Sequence, residues 1–285
     1  MIAVTGATGH LGRLVIAGLL EQVPSKELTA IVRTPARAAE LAAKGVQVRR
    51  GDYGQPAALG AALQGVTTLL LISSSEVGQR ATQHQAVIAA AKASGVQLIA
   101  YTSLLHGERS KLALGAEHVA TERALAASGV PFVLLRNGWY LENYTDNLGP
   151  ALQHGFVGSA GTGRIAAAAR ADFAAAAVAV LTRTGQAGKV YELAGDAPFT
   201  MAELAAEVSK QTGKQLSYAD LPAEKYKAVL TGAGLPPPVA DIFVDADLNI
   251  VKGELDDRSG ELSRLIGRPT TTLAAAVTAG LARVR

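Results

Sequence analysis

The sequence predicts an α/β fold, in which a doubly wound parallel sheet carries a smaller mixed α/β lobe at its C-terminal end. Short apolar runs alternate with alanine-rich helical segments through roughly the first 135 residues. All but one of the runs are continuously apolar, which is typical of parallel strands covered by helices on both faces. Both observations indicate one large sheet built from strand–helix units.

The elements of the sheet can be assigned in chain order. The strand-like runs are 2–5, 28–32, 46–49, 68–72, 98–102 and 132–135, and all but 46–49 are continuously apolar. The helical segments between them are 9–22, 35–44, 56–63, 78–94 and 114–128. Ligands of such sheets bind beyond the carboxyl ends of the strands, so the residues that follow each strand are the candidate site.

The pattern becomes less regular after Arg136. We expect a glycine-rich turn at 155–163, a helix at 173–182 capped by Asp172, and a strand at 190–193. Further along, the expected features are a Thr200–Glu203 capping box before a helix at 201–212, short segments at 216–218 and 223–232, a break at 236–238 and a helix at 272–284. The predicted dinucleotide-binding domain is 1–137 plus roughly 167–195, and the predicted substrate lobe is roughly 138–166 plus 196–285.

Composition excludes several classes of function. Among 285 residues there is no cysteine, so disulfides, zinc–thiolate sites, iron–sulfur clusters and thiol nucleophiles are excluded. The net charge of +3 comes without a basic stripe, so nucleic acid is not an expected partner. The apolar stretch 173–181 is too short to span a bilayer, and the histidines have no metal-ligand spacing. We therefore expect a cytoplasmic protein that binds neither membrane nor metal.

A glycine motif follows the first strand directly. Gly6, Gly9 and Gly12 have the spacing G-x-x-G-x-x-G and open the first helical segment. Glycines in this place permit a tight turn and let a pyrophosphate approach the backbone at the helix N-terminus. The motif predicts a dinucleotide site, and the alternative is a glycine-rich turn without a ligand.

The residue after the second strand selects the dinucleotide. Enzymes that prefer NAD usually have an acidic residue there, which accepts a hydrogen bond from the ribose 2′-hydroxyl. This chain has Arg33, whose guanidinium can pair with a 2′-phosphate. The sequence therefore favours NADP(H), with a solvated surface arginine as the alternative.

Other strand ends carry polar or aromatic clusters. Asp52 and Tyr53 follow the third strand, Ser73–Ser75 follow the fourth, and Tyr101-Thr102-Ser103 close the fifth. The sixth strand leads into 136–144, where Trp139 and Tyr140 could stack on a planar ligand. The alternatives are ordinary polar turns for the first three clusters and core anchors for the aromatic pair.

Longer stretches of the sequence resemble a known family. GATGHLG, LLLISSSEVGQR, AYTSLLH, LLRNGWYLENY, KVYELAGD and the tail SRLIGRPTTTL resemble the NADPH-dependent quinone oxidoreductase type 2 proteins, in the NmrA-like branch of atypical short-chain dehydrogenases. The resemblance implies two-electron reduction of a quinone to a hydroquinone by NADPH, with hydride passed directly and no flavin. The cofactor-binding residues it implies are Gly6, Ala7, Thr8, Gly9, His10, Leu11, Arg33, Ser73, Ser74, Ser75, Gly138, Trp139, Tyr140, Leu141, Glu142 and Asn143.

The usual catalytic pair of short-chain dehydrogenases is missing. The positions of its Tyr-x-x-x-Lys motif are Leu114 and His118 here, so the catalytic residues stay unknown. Protons can come from water or from a nearby hydroxyl, and the candidate hydroxyls are those of Tyr101, Tyr140 and Thr102. Two alternatives remain: an NADP(H)-binding redox sensor of the NmrA-like kind without turnover, and a reductase of triphenylmethane-type dyes. The physiological acceptor and the oligomeric state are not fixed by the sequence.

Overall fold

The computed structural model describes residues 1–284 and alternates strands with helices. The strands are β1 (Ile2–Thr5), β2 (Leu28–Val32), β3 (Gln47–Arg50), β4 (Thr68–Leu71), β5 (Leu98–Leu104), β6 (Phe132–Asn137), β7 (Phe156–Gly158), β8 (Val190–Leu193) and β9 (Tyr218–Asp220). The helices are α1 (His10–Leu20), α2 (Ala39–Ala43), α3 (Pro56–Ala62), α4 (Arg80–Ala93), α5 (Gly115–Ser128), α6 (Glu142–Thr145), α7 (Gly149–His154), α8 (Arg170–Thr182), α9 (Met201–Thr212), α10 (Ala223–Gly232), α11 (Pro237–Ile250), α12 (Glu261–Ile266) and α13 (Leu273–Leu281).

The chain forms two compact units. The first unit comprises Met1–Glu108, Ala116–Asn137 and Arg170–Glu192, and the second comprises Arg109–Gly115, Gly138–Ala169 and the chain from Leu193 onward. The predicted boundaries put residues 109–115 with the sheet, whereas this short segment lies in the second unit. Its backbone is held there, since the N–H of Ala113 donates to Asp245 over 2.8 Å.

A seven-stranded sheet forms the centre of the first unit. Its strand order is β3-β2-β1-β4-β5-β6-β8, and the adjacent pairs from β3 to β6 are parallel. The order reverses between β1 and β4, where crossovers on opposite sides of β1 leave a crevice at the carboxyl edge. The predicted fold class is confirmed, with β5 and β6 each two residues longer than expected.

The inner strands of the sheet are largely buried, which explains their continuously apolar sequences. All five residues of β2 are buried. One face packs against α3, α4 and α5 through a cluster that includes Leu59, Val87 and Leu125. Helices α1 and α8 pack against each other so closely that a methyl group on Gly18 would lie 3.0 Å from Val178. Asp172, expected as a helix cap, lies in the first turn of α8, because the helix begins at Arg170.

The second unit combines helices with a two-stranded sheet. β7 and β9 pair in parallel, with Phe156 opposite Tyr218. The capping box of α9 is confirmed: Thr200 accepts from the Glu203 N–H at 3.1 Å, and the Glu203 carboxylate accepts from the Thr200 N–H at 2.7 Å. The break expected at 236–238 is instead the start of α11, with Pro236 as its N-cap residue. Within residues 1–284, no helix is long and apolar enough to cross a membrane.

Candidate functional site

The glycine loop connects β1 to α1 at the crevice edge of the sheet. Gly6 has a φ of +60°, which favours glycine, and its carbonyl accepts from the N–H of Gly9 at 2.9 Å. A Cβ atom on Gly12 would lie 2.7 Å from the Cα of Ala7, so only glycine lets α1 pack this closely on the loop. The resulting cradle fits the close backbone approach that a pyrophosphate needs.

The N-terminus of α1 faces this loop with its backbone donors. Gly9 is the N-cap residue, and among residues 1–284 no side chain caps the helix there and none in its first turn is acidic. The first N–H groups of a helix have no partner within the helix, and its dipole favours an anion at this end. Gly6, Gly9 and His10 are exposed, so a phosphate has access to these donors.

Arg33 follows β2, and its side chain is exposed to solvent. Its side chain is 67% exposed, and Nη1 lies 2.8 Å from Oε1 of Glu76. Glu76 belongs to the segment after β4. The guanidinium that the sequence assigns to a 2′-phosphate is therefore paired with a carboxylate in this structure.

Buried side chains form hydrogen bonds with the backbone of Ser73 and Ser74. The N–H of Ser73 donates to Thr102 Oγ1 at 2.8 Å, and the N–H of Ser74 donates to His84 Nε2 at 2.9 Å. Arg80 Nε donates to the carbonyl of Ser74 at 2.7 Å. These contacts fix the backbone of the segment and leave little freedom in its position.

The second unit supplies the residues after β6. The N–H of Gly138 donates to the carbonyl of Leu193 at 2.7 Å, and Trp139 and Leu141 exchange backbone hydrogen bonds with Ala168. Trp139 and Asn143 line a cavity of about 270 Å³. The other polar or aromatic residues on its wall include Tyr144, Tyr226, Phe243 and Asp247.

A carboxyl group lies on the wall of that cavity. Burial raises the pKa of Asp247 to about 6, and the charge of Asp220 acts in the same direction. A hydrogen bond from the N–H of Ser159 to Asp247 Oδ2, at 2.7 Å, opposes the shift. Asp247 therefore has a pKa closer to neutrality than that of an ordinary carboxyl group, on a wall to which five aromatic side chains contribute.

Comparisons with known proteins agree with this architecture. A family model described as NAD(P)H-binding matches residues 6–184. Quinone oxidoreductase 2 of Escherichia coli is 57% identical over 278 residues, which are 97% of each chain. This chain belongs to the NAD(P)H-binding family that includes quinone oxidoreductase 2.

Solved structures of the family superpose on nearly the whole chain. The NADPH complex of the E. coli NADPH-dependent quinone oxidoreductase has a TM-score of 0.96 at 56% identity and covers 98% of this chain and 99% of its own. The triphenylmethane reductase of Citrobacter sp. with NADP(H) has a TM-score of 0.95 at 39% identity, with 98% and 100% covered. The family and the fold that the sequence indicated are confirmed.

Tyr101, one of the candidate proton donors, is fully buried. It has no exposed surface, and its hydroxyl lies 2.8 Å from His118 Nδ1. Burial raises the pKa of Tyr101 and lowers that of His118 to about 3, so both groups are neutral. Tyr101 as a proton donor stays a prediction. Tyr140 is half-buried in the second unit and stays a prediction as well.

The sequence did not reveal the polar network beneath Ser73–Ser75. His84 Nδ1 lies 2.9 Å from Thr121 Oγ1, and Thr121 donates to the Glu117 carbonyl at 2.9 Å. The carboxylate of Glu117 pairs with Arg80 at 3.3 Å. These partners come from α4 and α5, 37 residues apart along the chain, and no local pattern connects them. In residues 1–284, no group of three His, Asp or Glu side chains could hold a metal ion.

Proposed function

We propose that this chain catalyses the NADPH-dependent two-electron reduction of quinones to hydroquinones, and that it does so in the cytoplasm. The observation that carries this proposal is the full-length similarity to E. coli quinone oxidoreductase 2, at 57% identity. The NADPH complex of that protein supports the same cofactor here, at a TM-score of 0.96. The chain has no cysteine and therefore no disulfide, which is compatible with a reducing compartment.

The residues proposed to hold NADPH lie at the loops already described. The pyrophosphate would contact the backbone of 6–11, Arg33 would pair with the 2′-phosphate, and Ser73–Ser75 would line a ribose or the nicotinamide. Gly138, Trp139, Tyr140, Leu141, Glu142 and Asn143 complete the proposed set. The close packing at Gly12 supports the fit, since it brings the helix donors to the loop. When bound, NADPH supplies a hydride, which carries both electrons.

The chain itself has two further tasks in this reaction. It holds the reactants in line, which alone supplies much of the rate for an acceptor as electrophilic as a quinone. It also lets one proton reach the quinone, because quinone, NADPH and H⁺ together give hydroquinone and NADP⁺. Water or a tyrosine hydroxyl can provide that proton, and half-buried Tyr140 is a more accessible donor than fully buried Tyr101.

A steady-state assay tests the proposed function. The purified chain should oxidise NADPH in the presence of benzoquinone or menadione, with loss of the near-ultraviolet absorbance of the reduced nicotinamide. Hydroquinone should form in equal amount. Tight NADP(H) binding without turnover on any acceptor would instead identify a redox sensor and contradict the proposal.

Triphenylmethane dyes are the second candidate acceptors. The observation that favours them is the TM-score of 0.95 with the triphenylmethane reductase of Citrobacter sp.. A cationic dye also takes a hydride at an electron-poor carbon. The same assay with a dye in place of the quinone distinguishes the two, because the physiological class should give the larger kcat/KM.

Replacing Arg33 with alanine is expected to raise the KM for NADPH by about 10- to 100-fold, the value of a charge-assisted pair with phosphate. The KM for NADH should change by less than about twofold, since NADH lacks the phosphate. Arg123 provides a matched control: it is 72% exposed and paired with Glu108, much as Arg33 is paired with Glu76. Arg123→Ala should leave both constants unchanged. Equal effects of Arg33→Ala on NADPH and NADH would contradict the assignment.

A further inference from the structure

We propose that Glu76 is a specificity-determining residue. By pairing with the guanidinium of Arg33, it lowers the preference for adenosine nucleotides that carry a 2′-phosphate over those that lack it. The inference rests on the proposed function in one respect, the assignment of Arg33 to the 2′-phosphate. It concerns only the first unit, which contains every residue involved. It can be tested without any quinone.

The position of the ion pair in the sheet supports the proposal. Arg33 follows β2, and Glu76 lies in the segment after β4. β2 and β4 pair with β1 on its two sides, and β1 leads directly into the glycine loop. The pair therefore joins the segments that flank the candidate pyrophosphate cradle, at the edge where the adenosine half of a dinucleotide binds in such folds.

Glu76 is anchored at three points. Its Oε1 accepts from Arg33 at 2.8 Å, and its Oε2 accepts from Gln83 Nε2 at 2.7 Å. Its backbone N–H donates to Ser74 Oγ at 3.1 Å. Gln83 belongs to α4, so its hydrogen bond connects the carboxylate to a helix that packs on the sheet. A carboxylate held in this way stays beside Arg33 when a ligand arrives.

The negative charge of the anchored Glu76 affects how strongly Arg33 can bind a 2′-phosphate. The Arg33 and Glu76 side chains are 67% and 47% exposed, and an exposed pair of this kind adds little to stability. A 2′-phosphate carries nearly two negative charges, and it must share the guanidinium with the carboxylate. A nucleotide without that phosphate meets no such competition. Glu76 thus lowers affinity for the phosphorylated form alone.

The test measures binding of two small probes by calorimetry. Adenosine 2′,5′-bisphosphate and adenosine 5′-monophosphate differ only in the 2′-phosphate. Glu76→Gln keeps the size of the side chain and removes its charge, so the bisphosphate should bind roughly fivefold more tightly, the effect of one unit charge near contact distance in water. The monophosphate should change by less than about twofold. In an Arg33→Ala background the gain from Glu76→Gln should be smaller, because only the direct repulsion between the carboxylate and the 2′-phosphate is then removed.

Glu108 supplies the matched control. It is 62% exposed and pairs with Arg123, so Glu108→Gln removes the same charge from the same unit away from Arg33. It should alter neither probe. A wild-type chain that prefers the bisphosphate, with no change in Glu76→Gln, would overturn this inference and leave Arg33 in its role. Failure of both wild type and Glu76→Gln to distinguish the probes would overturn both assignments. Weaker bisphosphate binding in Glu76→Gln would also overturn the inference, since Glu76 would then position Arg33.

Discussion

Substitution of Arg136 by methionine is expected to lower the free energy of unfolding by about 3–5 kcal/mol. Arg136 lies at the end of β6 between two carboxylates. Its Nη2 is 2.7 Å from Glu122 Oε2, and its Nη1 is 2.9 Å from Glu192 Oε1. The three side chains are only 9–20% exposed. Without the guanidinium, two carboxylates would be left in a poorly solvated place.

Backbone and hydroxyl donors also bind the two carboxylates that Arg136 pairs with. Ser103 Oγ donates to Glu122 Oε1 at 2.5 Å, and the N–H of His106 donates to Glu192 Oε2 at 2.8 Å. A Cβ atom on Gly107 would lie 2.6 Å from Arg136 Nε, so the loop packs directly on the guanidinium. Hydrogen bonds to Glu122 raise the pKa of Arg136 above its ordinary value. Neutral donors such as these do not balance two negative charges.

Urea denaturation followed by circular dichroism measures the effect at neutral pH. The triple variant Arg136→Met, Glu122→Gln, Glu192→Gln should recover at least half of the lost stability, because no unpaired charge is then buried. Arg123→Met is the control, and its exposed ion pair with Glu108 should be worth about 0–1 kcal/mol. A loss below about 1 kcal/mol for Arg136→Met would contradict the expected role of the cluster.

The sheet could be predicted from the sequence because burial on both faces leaves a local signal. β1 and β2 have the predicted bounds, since each is a largely apolar run that ends directly before a glycine or a charged residue. α11 was missed for a local reason as well. Consecutive prolines suggest a break, but proline is tolerated in the first turn of a helix, where its missing N–H has no partner to lose.

The candidate site was only partly accessible to the same reasoning. The glycine loop and Arg33 adjoin strand ends and can be recognised locally. The pairing of Arg33 with Glu76 spans 43 residues, and it depends on which strands flank β1. β7 has three residues, too few for a period to show, and it is defined by its pairing with β9. Contacts of this range follow from the topology and not from any segment.

Two buried histidines are expected to make the protein sensitive to mild acid. Burial is the main cause that lowers the pKa values of His84 and His118 to about 3, from the ordinary 6.5, and the charge of Arg80 adds to it. His84 Nε2 accepts from the Ser74 N–H, so its proton is on Nδ1 and donates to Thr121. Protonation of Nε2 would put two donors face to face and release Ser74.

The direction of the pH dependence follows from these values. Between pH 6.5 and about 3 the unfolded chain binds protons that the folded chain does not. Stability is therefore full above the unfolded pKa and falls as the pH drops through this window. Each histidine contributes a slope of about 1.4 kcal/mol per pH unit, so both together can remove up to about 4 kcal/mol by about pH 5.

Urea denaturation across this pH range, in wild type and two variants, tests the assignment to these side chains. His84→Gln can still accept from Ser74 and His118→Gln can still bond to Tyr101, but neither side chain titrates. Each variant should lose about half of the acid slope. Exposed His154 is the control, and His154→Gln should keep the wild-type slope. A wild-type slope in both buried-site variants would show that other groups cause the acid sensitivity. Since His84 supports Ser74, weaker NADPH binding should accompany the loss of stability in acid.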